Sequence, residues 1–472
     1  MSEQMGTNKY KTLARDTGLF AISNFGSKIL NFLLTPLYTI VLATEEFGIA
    51  DLLNTTIQFL YPILTLSISE ATLRFVLDKE KDKTKVLGTS LAFICIAVLI
   101  LMSISPVMIA LNTPISEYWG TFVLMFALFN IHDCFSNFIK ADGKTKLFAI
   151  QGIINTLSVI ISNIILLVVF KRGIRGYLIS TILGHIVPLI VIFFAGKIYR
   201  HIKITTVDFS LVKEMLAYSI PMIPTILAWS INTGIDKYMI TGMIGLSENG
   251  IYSVAHKIPT IVTALVSVFL QAWQLSAISN HGEADESGYY TTVFSGLNII
   301  SLFGSMMIII FSKFLCGVLF SESYFLAWKC VPLLCLSAIF SNYAGFLSAA
   351  FRAAKKTGAL FVSVATGAVS NIVLNFFLIR EFGIIGAAMA TAASFGIVWI
   401  VRFIMVQKIV KVKMNLFSGV ISYFLLVYSA VAITFEFVWC YQIAIASIFA
   451  IFIVNFKAIA LVFLRLKCVF KK

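Results

Sequence analysis

The chain consists of long apolar segments separated by short polar ones, and this alternation continues along almost its whole length. Most of the apolar segments hold about 20 residues or more, the length that an α-helix needs to cross a bilayer core of roughly 30 Å. The pattern therefore predicts an all-α polytopic membrane protein. We predict about fourteen membrane-spanning helices, near residues 17–42, 49–72, 86–111, 118–140, 147–170, 174–196, 214–244, 249–278, 288–312, 328–351, 357–379, 384–407, 415–435 and 438–463.

The composition agrees with a membrane protein. The mean hydropathy is +0.95 and 12% of the residues are charged, against about 25% in soluble domains. The first apolar run, from Gly18 to Leu42, is too long for the core of a signal peptide and has no small-residue cleavage site, so we predict that it is retained as a helix. The seven cysteines are scattered without metal-binding spacing, so we predict no disulfide, metal or other cofactor.

The net charge of +14 comes from basic residues that fall on alternate loops. No segment outside the predicted helices is long enough for a nucleic-acid-binding fold, so the positive-inside rule is the better explanation of the charge. With a cytoplasmic N-terminus, the inside loops and tails hold 27 of the 36 Lys and Arg residues and the outside loops hold six. This bias predicts that both termini are cytoplasmic.

Two short sequences occur twice. Residues 46–49 (EFGI) are echoed by residues 248–251 (ENGI), and residues 173–176 (GIRG) are echoed by residues 383–386 (GIIG). Repeats of this kind mark the two lobes of many transporters. We predict an N-lobe at 1–196 with helices 1–6, a cytoplasmic interfacial linker at 197–213, a C-lobe at 214–410 with helices 7–12, and two further helices with a basic tail at 411–472.

The stretch from Trp229 to Trp273 holds the densest group of intramembrane ionisable residues, and such residues are functional-site hypotheses by default. It consists of two apolar spans around a turn, with both lysines predicted to lie roughly 10 Å from the same membrane face. Two interpretations are open: a structural pair of the aspartate with the second lysine or the histidine, or a lysine that lines a wet cavity for an anionic substrate. The four residues are Asp236, Lys237, His256 and Lys257.

Three polar residues of the first span share one helix face, because Asn24 and Lys28 are four residues apart and Lys28 and Asn31 are three apart. We predict that Lys28 lines a cavity near the middle of the membrane. In the second span, Glu70 and Arg74 have the spacing of a local ion pair, and the guanidinium also suits a phosphate contact.

Further ionisable groups lie in the predicted spans 4 and 6. We interpret His132 and His185 as hydrogen-bonded packing residues rather than proton relays. Asp133 is a candidate proton site, because an unpaired carboxylate inside the membrane favours its neutral form.

Several motifs together resemble the oligosaccharide flippases of bacterial surface-polysaccharide pathways, the Wzx type, in the MOP superfamily that also holds MATE drug exporters and lipid II flippases. The resemblance spans most of the first twelve predicted helices. The motifs are NFGSK at 24–28, PLYT at 36–39, FGIADL at 47–52, ATLRF at 71–75, DKY at 236–238, GIYSVAHKIP at 250–259 and QAW at 271–273.

The resemblance implies two six-helix lobes in a MATE-like V arrangement around a cavity that opens alternately to each side. It implies as substrate a polyprenyl-pyrophosphate-linked oligosaccharide, and as its contacts Lys28, Arg74, Lys237 and Lys257, with Asn24 and Asn31 beside them. Family members often have Arg where this chain has Lys237, which weakens a bidentate phosphate contact there.

We expect no catalysis, and no ATP use, because no Gly-rich phosphate loop is present. An inward H+ or Na+ gradient is expected to drive the cycle through Asp236, with Asp133, Glu70 and His256 as further candidates. The expected location is the bacterial cytoplasmic membrane, with membrane lipids and other polysaccharide-assembly proteins as partners. The alternatives are a MATE-like cation-coupled drug exporter, against which Lys28 argues, and a membrane glycosyltransferase or polymerase, against which the short outer loops argue.

Overall fold

The computed structural model describes residues 32–111, 113, 115–202, 208–282, 285–413 and 415–470, and within that part of the chain it is helical, without strands. The helices are α1 Thr35–Val41, α2 Thr44–Leu64, α3 Ile68–Val76, α4 Lys83–Ala110, α5 Trp119–Ala141, α6 Thr145–Asn163, α7 Gly173–Ala195, α8 Phe209–Ser219, α9 Ile223–Met243, α10 Leu246–Ala255, α11 Thr260–Ser279, α12 Glu286–Leu319, α13 Val331–Ala353, α14 Thr357–Val406, α15 Leu416–Thr434 and α16 Cys440–Phe470. The short helical segments Ser116–Tyr118, Ile198–Arg200, Ile220–Met222 and Glu322–Lys329 connect them, and Ile164–Val169 continues α6 as a π-helix.

The all-helical membrane fold predicted from the sequence is confirmed. In the described part of the chain, ten helices are long and apolar enough to cross a membrane, or eleven if α2 and α3 count as one bent span. The predicted number of fourteen stays a prediction. Helix α14 contains two of the predicted spans, 357–379 and 384–407, which meet at Gly383 in a non-helical conformation with φ 57° and ψ −135°.

Two spans that were predicted to be continuous are broken. The span predicted at 49–72 divides into α2 and α3, which are bent by 64° at Leu66 and Ser67, both left-handed. The span predicted at 249–278 divides into α10 and α11, because Pro259 stands at the start of α11 and cannot donate the hydrogen bond that would continue α10.

Prolines inside the helices free backbone carbonyl groups, and side chains of other helices bind these carbonyls. Pro62 cannot donate to the carbonyl of Gln58, which accepts a hydrogen bond from the Ser230 hydroxyl at 3.3 Å. Pro188 likewise frees the carbonyl of Gly184, to which the Asn155 amide donates at 2.6 Å. Such partners are needed in a membrane, where water cannot satisfy the freed group.

The chain divides into two compact units. The N unit is Ile40–Ser230, and the C unit is 32–39 together with Ile231–Lys472. The lobe and linker boundaries predicted from the repeats, 1–196, 197–213, 214–410 and 411–472, stay a prediction.

Ion pairs join three loops at one end of the N unit, the loops that the charge pattern assigns to the cytoplasm. Asp142 accepts from Lys83 at 2.6 Å and from Lys144 at 2.8 Å, and Lys144 also donates to the carbonyl of Gly196 at 2.7 Å. Two further pairs, Lys81 with Glu214 and Lys85 with Asp208, tie the 77–85 loop to α8. The basic loops therefore lie together, as the predicted topology requires.

The loop junction at Asp142 should respond to acid. Burial alone would raise the pKa of this carboxyl, but the hydrogen bonds from Lys144 and Lys83 outweigh it and hold the pKa below its usual range. A lowered pKa means that the stabilisation is complete at neutral pH and is lost as the pH falls below the unfolded-state pKa and through the lower folded-state pKa. We expect limited proteolysis of these loops to accelerate in that range, and the Asp142→Asn variant to be cleaved readily at neutral pH already. An unchanged cleavage rate in the variant would contradict this role.

The C unit has an aromatic core around Trp273, which belongs to the QAW motif at 271–273. The indole is fully buried, stacks on Phe346 with the ring centres 4.4 Å apart, and donates to the Phe346 carbonyl at 3.1 Å. Tyr290 packs edge-on against the same indole. Trp273 of the motif is therefore a packing residue of this core.

The repeated sequences occupy equivalent structural positions. Glu46 and Glu248 are each the third residue of a helix, in α2 and α10, where a carboxylate favours the helix N-terminus. Gly173 and Gly383 each lie between two helices with positive φ, 53° and 57°. Both members of each pair therefore meet the same local structural requirement.

Candidate functional site

The candidate site in the C unit is built around Asp236 on α9. Its side chain is completely buried, and its Oδ2 accepts hydrogen bonds from the Tyr252 hydroxyl at 2.6 Å and from the Thr391 hydroxyl at 3.0 Å. Its Oδ1 accepts from the backbone N–H of Lys237 at 2.9 Å. These donors come from α9, α10 and α14, so the carboxylate joins three helices.

The structural salt bridge between Asp236 and Lys257, one of the two interpretations of this stretch, is not formed. Within the described residues, no ion pair within 4.0 Å joins the two. His256 comes closer, with its Nε2 4.0 Å from Oδ2 of Asp236, which is the limit of an ion pair and too long for a hydrogen bond. Among the described residues, two hydroxyl groups and one backbone N–H, and not a cation, are thus the hydrogen-bond partners of this carboxylate.

Both lysines of the stretch follow Asp236 in the sequence and are half-buried. Lys237 follows Asp236 on α9. Lys257 lies in the break between α10 and α11, where the Thr260 hydroxyl donates to its carbonyl. This break places a lysine at an interrupted helix inside a predicted span, which is where many transporters bind charged ligands.

Tyr252 and Thr391 were not predicted from the sequence as partners of Asp236. Tyr252 lies within the resemblance motif GIYSVAHKIP, which could have indicated it. Thr391 is one of four buried polar residues on α14, with Asn371, Asn375 and Ser394. The asparagines are four residues apart, and Thr391 and Ser394 are three apart. Each spacing indicates a polar helix face. The Asn371 amide donates to Ser394 at 3.1 Å and the Asn375 amide to the Asn371 carbonyl at 2.9 Å.

In the N unit, the predicted ion pair between Glu70 and Arg74 is wrong. Both residues lie on α3, with Glu70 half-buried and Arg74 exposed, but no ion pair joins them within the described residues. Glu70 is close enough to Asp133 on α5 to interact with it electrostatically. Asp133 also accepts a hydrogen bond from Asn137 at 3.2 Å.

His132 and His185, interpreted as separate packing residues, contact each other. Their Nδ1 atoms are 3.2 Å apart, and Nε2 of His132 is 2.8 Å from Oε1 of Gln151. The three residues lie on α5, α7 and α6. The structure therefore shows a histidine pair that the sequence spacing did not indicate.

The predicted substrate contacts are divided between the two units and the part of the chain outside the described residues. Asn24, Lys28 and Asn31 lie outside the described residues. Arg74 belongs to the N unit, and Lys237 and Lys257 belong to the C unit. The joint lining of one cavity by these residues stays a prediction.

The fold is shared with solved transporters. The lipid II flippase MurJ in an inward closed conformation matches with a TM-score of 0.72 and 16% sequence identity, over 93% of this chain and 99% of that chain. An inward-facing multidrug resistance MATE family transporter of the MOP superfamily matches with a TM-score of 0.68 and 14% identity, over 81% of this chain and 94% of that chain. The fold is thus the one that MurJ and the MATE transporters share, as predicted.

Two curated proteins are related in sequence. An uncharacterized membrane protein of Methanocaldococcus jannaschii is 25% identical over 428 residues, 85% of this chain and 99% of that protein. The probable low-salt glycan biosynthesis flippase Agl15 of Haloferax volcanii is 26% identical over 188 residues, 38% of this chain and 39% of that protein.

The sequence profile of the family Polysaccharide biosynthesis protein matches residues 13–274, which is more than half of the chain. The chain belongs to this family. The match contains the whole N unit as described and the stretch from Trp229 to Trp273 with Asp236, Lys237 and Lys257. The family predicted from the sequence motifs is confirmed.

Proposed function

We propose that this protein is a flippase that moves a polyprenyl-pyrophosphate-linked oligosaccharide across the cytoplasmic membrane by alternating access. The observation that carries the proposal is the family match over residues 13–274, which includes the half-buried lysines 237 and 257. The fold of the lipid II flippase MurJ and the sequence similarity to a probable glycan biosynthesis flippase support it.

The physical demands of such a substrate fit the residues. A sugar hydroxyl loses free energy when it is stripped of water, and a pyrophosphate loses far more, so the head group needs a wet, basic path while the tail stays in lipid. Lys237, Lys257 and Arg74 would supply positive charge along that path, and Lys28, Asn24 and Asn31 would extend it. Membrane lipids and other polysaccharide-assembly proteins would be the partners, with both termini in the cytoplasm.

We further propose that a gradient of H+ or Na+ drives the cycle through Asp236. A buried carboxylate with hydroxyl donors on one oxygen can exchange between an ionised state and a neutralised state, and the two states favour different packing of α9, α10 and α14. Asp133 with Glu70 in the N unit, and His256 beside Asp236, are the further candidates for ion coupling.

The first test is translocation of a fluorescent polyprenyl-pyrophosphate oligosaccharide in proteoliposomes. We expect the native protein to move this lipid and Lys257→Ala to lose about tenfold or more of the rate, because a phosphate contact with a charged partner is worth roughly 1.5–3 kcal/mol. The matched control is Lys411→Ala, which removes an exposed lysine from a loop of the C unit. Equal rates in the two variants would contradict a role of Lys257 in substrate binding.

The second candidate function is a cation-coupled drug exporter, which the likeness to the multidrug MATE transporter favours. The same proteoliposomes distinguish the two. Export of cationic dyes without movement of the lipid-linked sugar would replace the flippase proposal. Appearance of transferred or polymerised sugar would support the third alternative, a glycosyltransferase or polymerase.

A further inference from the structure

The histidine pair of the N unit has a defined pattern of donors and acceptors. Gln151 is 7% exposed, and its Oε1 accepts from Nε2 of His132 at 2.8 Å. His132 therefore carries its hydrogen on Nε2 in the neutral state and has a lone pair on Nδ1. Since the two Nδ1 atoms are 3.2 Å apart, His185 must donate its Nδ1–H to that lone pair.

This pattern leaves one basic nitrogen. With its hydrogen on Nδ1, neutral His185 has a lone pair on Nε2, and this atom has no hydrogen-bond partner within the described residues. The side chain of His185 is partly exposed, so the lone pair is open to a proton. A second proton on His132 would place two N–H groups opposite each other at 3.2 Å, so the pair can hold only one.

Within the part of the chain that the structure describes, no charged group is in direct contact with the pair. Phe129 packs edge-on against the His185 ring with the centres 5.9 Å apart, and Tyr61 packs edge-on against Phe129. None of the ionisable groups on the adjoining helices forms a hydrogen bond or ion pair with either imidazole in the described part of the chain. These groups are Glu45, Glu46, Asp51 and Tyr61 on α2, Glu70 and Arg74 on α3, Lys83, Lys85 and Cys95 on α4, Asp133, Cys134 and Lys140 on α5, Lys146 on α6, and Arg175 and Tyr177 on α7.

We propose that His132, His185 and Gln151 form a proton-binding site of the N unit, which takes up one proton on Nε2 of His185. The proton comes from hydronium in the aqueous phase: one N–H bond forms on the imidazole, one O–H bond of hydronium breaks, and water is left. It converts the contact between the two rings into a charge-assisted hydrogen bond, which is shorter and stronger than the neutral one. Acid therefore tightens the connection between α5 and α7, while Gln151 keeps the tautomer of His132 fixed from α6.

The site is separate from Asp236, which lies in the C unit. Its existence requires no assumption about the substrate, whereas its part in an ion-coupled transport cycle rests on the proposed function. Proton binding and transport are therefore measured separately.

The test is nitrogen NMR of the full-length protein in lipid nanodiscs, labelled with ¹⁵N-histidine. The chain has five histidines, so His132→Gln and His185→Gln assign the signals of the pair. At high pH we expect the hydrogen of His185 on Nδ1, with a nitrogen–nitrogen coupling to His132. On acidification from about pH 8 to about pH 3 we expect His185, and not His132, to become an imidazolium.

Several outcomes would overturn the site. Rings that stay neutral through the whole range, two independent titrations, or a neutral His185 with its hydrogen on Nε2 would each contradict it. If either Gln variant fails to fold, Gln151→Leu provides a second test, because it removes the acceptor that fixes His132 and should move the hydrogen between its two nitrogens.

Transport gives the second measurement. In His185→Gln we expect the ratio of translocation rates between acidic and neutral pH to change by about threefold or more, while Lys411→Ala keeps the native ratio. An NMR titration without any lipid translocation would retain the proton site and contradict the proposed function. Lipid translocation whose pH ratio is unchanged in His185→Gln, together with the absence of an NMR titration, would retain the proposed function and contradict the proton site.

Discussion

The Asp236→Asn variant is expected to lose gradient-driven transport by about tenfold or more while the protein still folds. The amide has nearly the shape of the carboxylate, and its oxygen can still accept from the Tyr252 and Thr391 hydroxyls, which lie 2.6 and 3.0 Å from Oδ2. An amide, however, neither gains a proton nor binds a cation strongly, so the exchange between a charged and a neutralised state is lost. The measurement is uptake into proteoliposomes with an imposed H+ or Na+ gradient, one at a time.

Tyr252→Phe is the matched control for this variant. It removes one hydrogen bond to the same carboxylate oxygen but leaves the ionisable group, so we expect a smaller loss of rate and a retained response to the gradient. If Asp236→Asn responded to both gradients as the native protein does, Asp236 would not be the coupling residue. If Tyr252→Phe lost the response as completely as Asp236→Asn, the hydrogen-bonded network and not the charge would explain both results.

The sequence was sufficient for the class of fold, because each membrane-spanning helix must satisfy its own backbone hydrogen bonds and shield them with apolar side chains. Such helices are visible one at a time, as the segments that became α4, α5, α7 and α13 show. The breaks at Leu66 and at Pro259 were not predicted, since hydropathy continues across them. Of the two breaks, only Pro259 gave a local signal. This signal is ambiguous, because the prolines inside α2, α4 and α7 do not end their helices.

The site was only partly predictable, because charge is visible in a sequence and the identity of its partner is not. Asp236 was identified as an intramembrane acid, but its partners Tyr252 and Thr391 are 16 and 155 residues away. His132 and His185 were likewise identified separately, although 53 residues apart in the chain they form one hydrogen bond. Pairs of this kind depend on tertiary packing. Residues so far apart in the chain have no fixed spacing from which a single sequence could predict their contact.

The Gly386→Ala variant is expected to be the most destabilising single substitution in the repeated GIxG motif. A Cβ atom at this position would lie 1.9 Å from the carbonyl oxygen and 2.3 Å from the carbonyl carbon of Leu378, and both atoms belong to the backbone. No rotamer change can relieve such a contact, so the chain reversal around Gly383 must open. We expect a loss of about 3 kcal/mol or more, measured as a lower apparent melting temperature and a lower yield of monodisperse protein in detergent.

Gly176→Ala, at the equivalent position of the N unit, is the control that separates this steric cause from a general intolerance of the motif. Its Cβ would lie 3.2 Å from the carbonyl oxygen of Leu166 and 3.1 Å from the Cβ of Arg172, distances that a shift of a few tenths of an ångström relieves, so we expect a cost of about 1 kcal/mol. Equal losses in the two variants would contradict the steric explanation. A large loss at Gly386 alone would show that the close packing of backbone segments explains the glycine at this position of the motif. The packing would then be tighter in the C unit, which carries Asp236, than in the N unit.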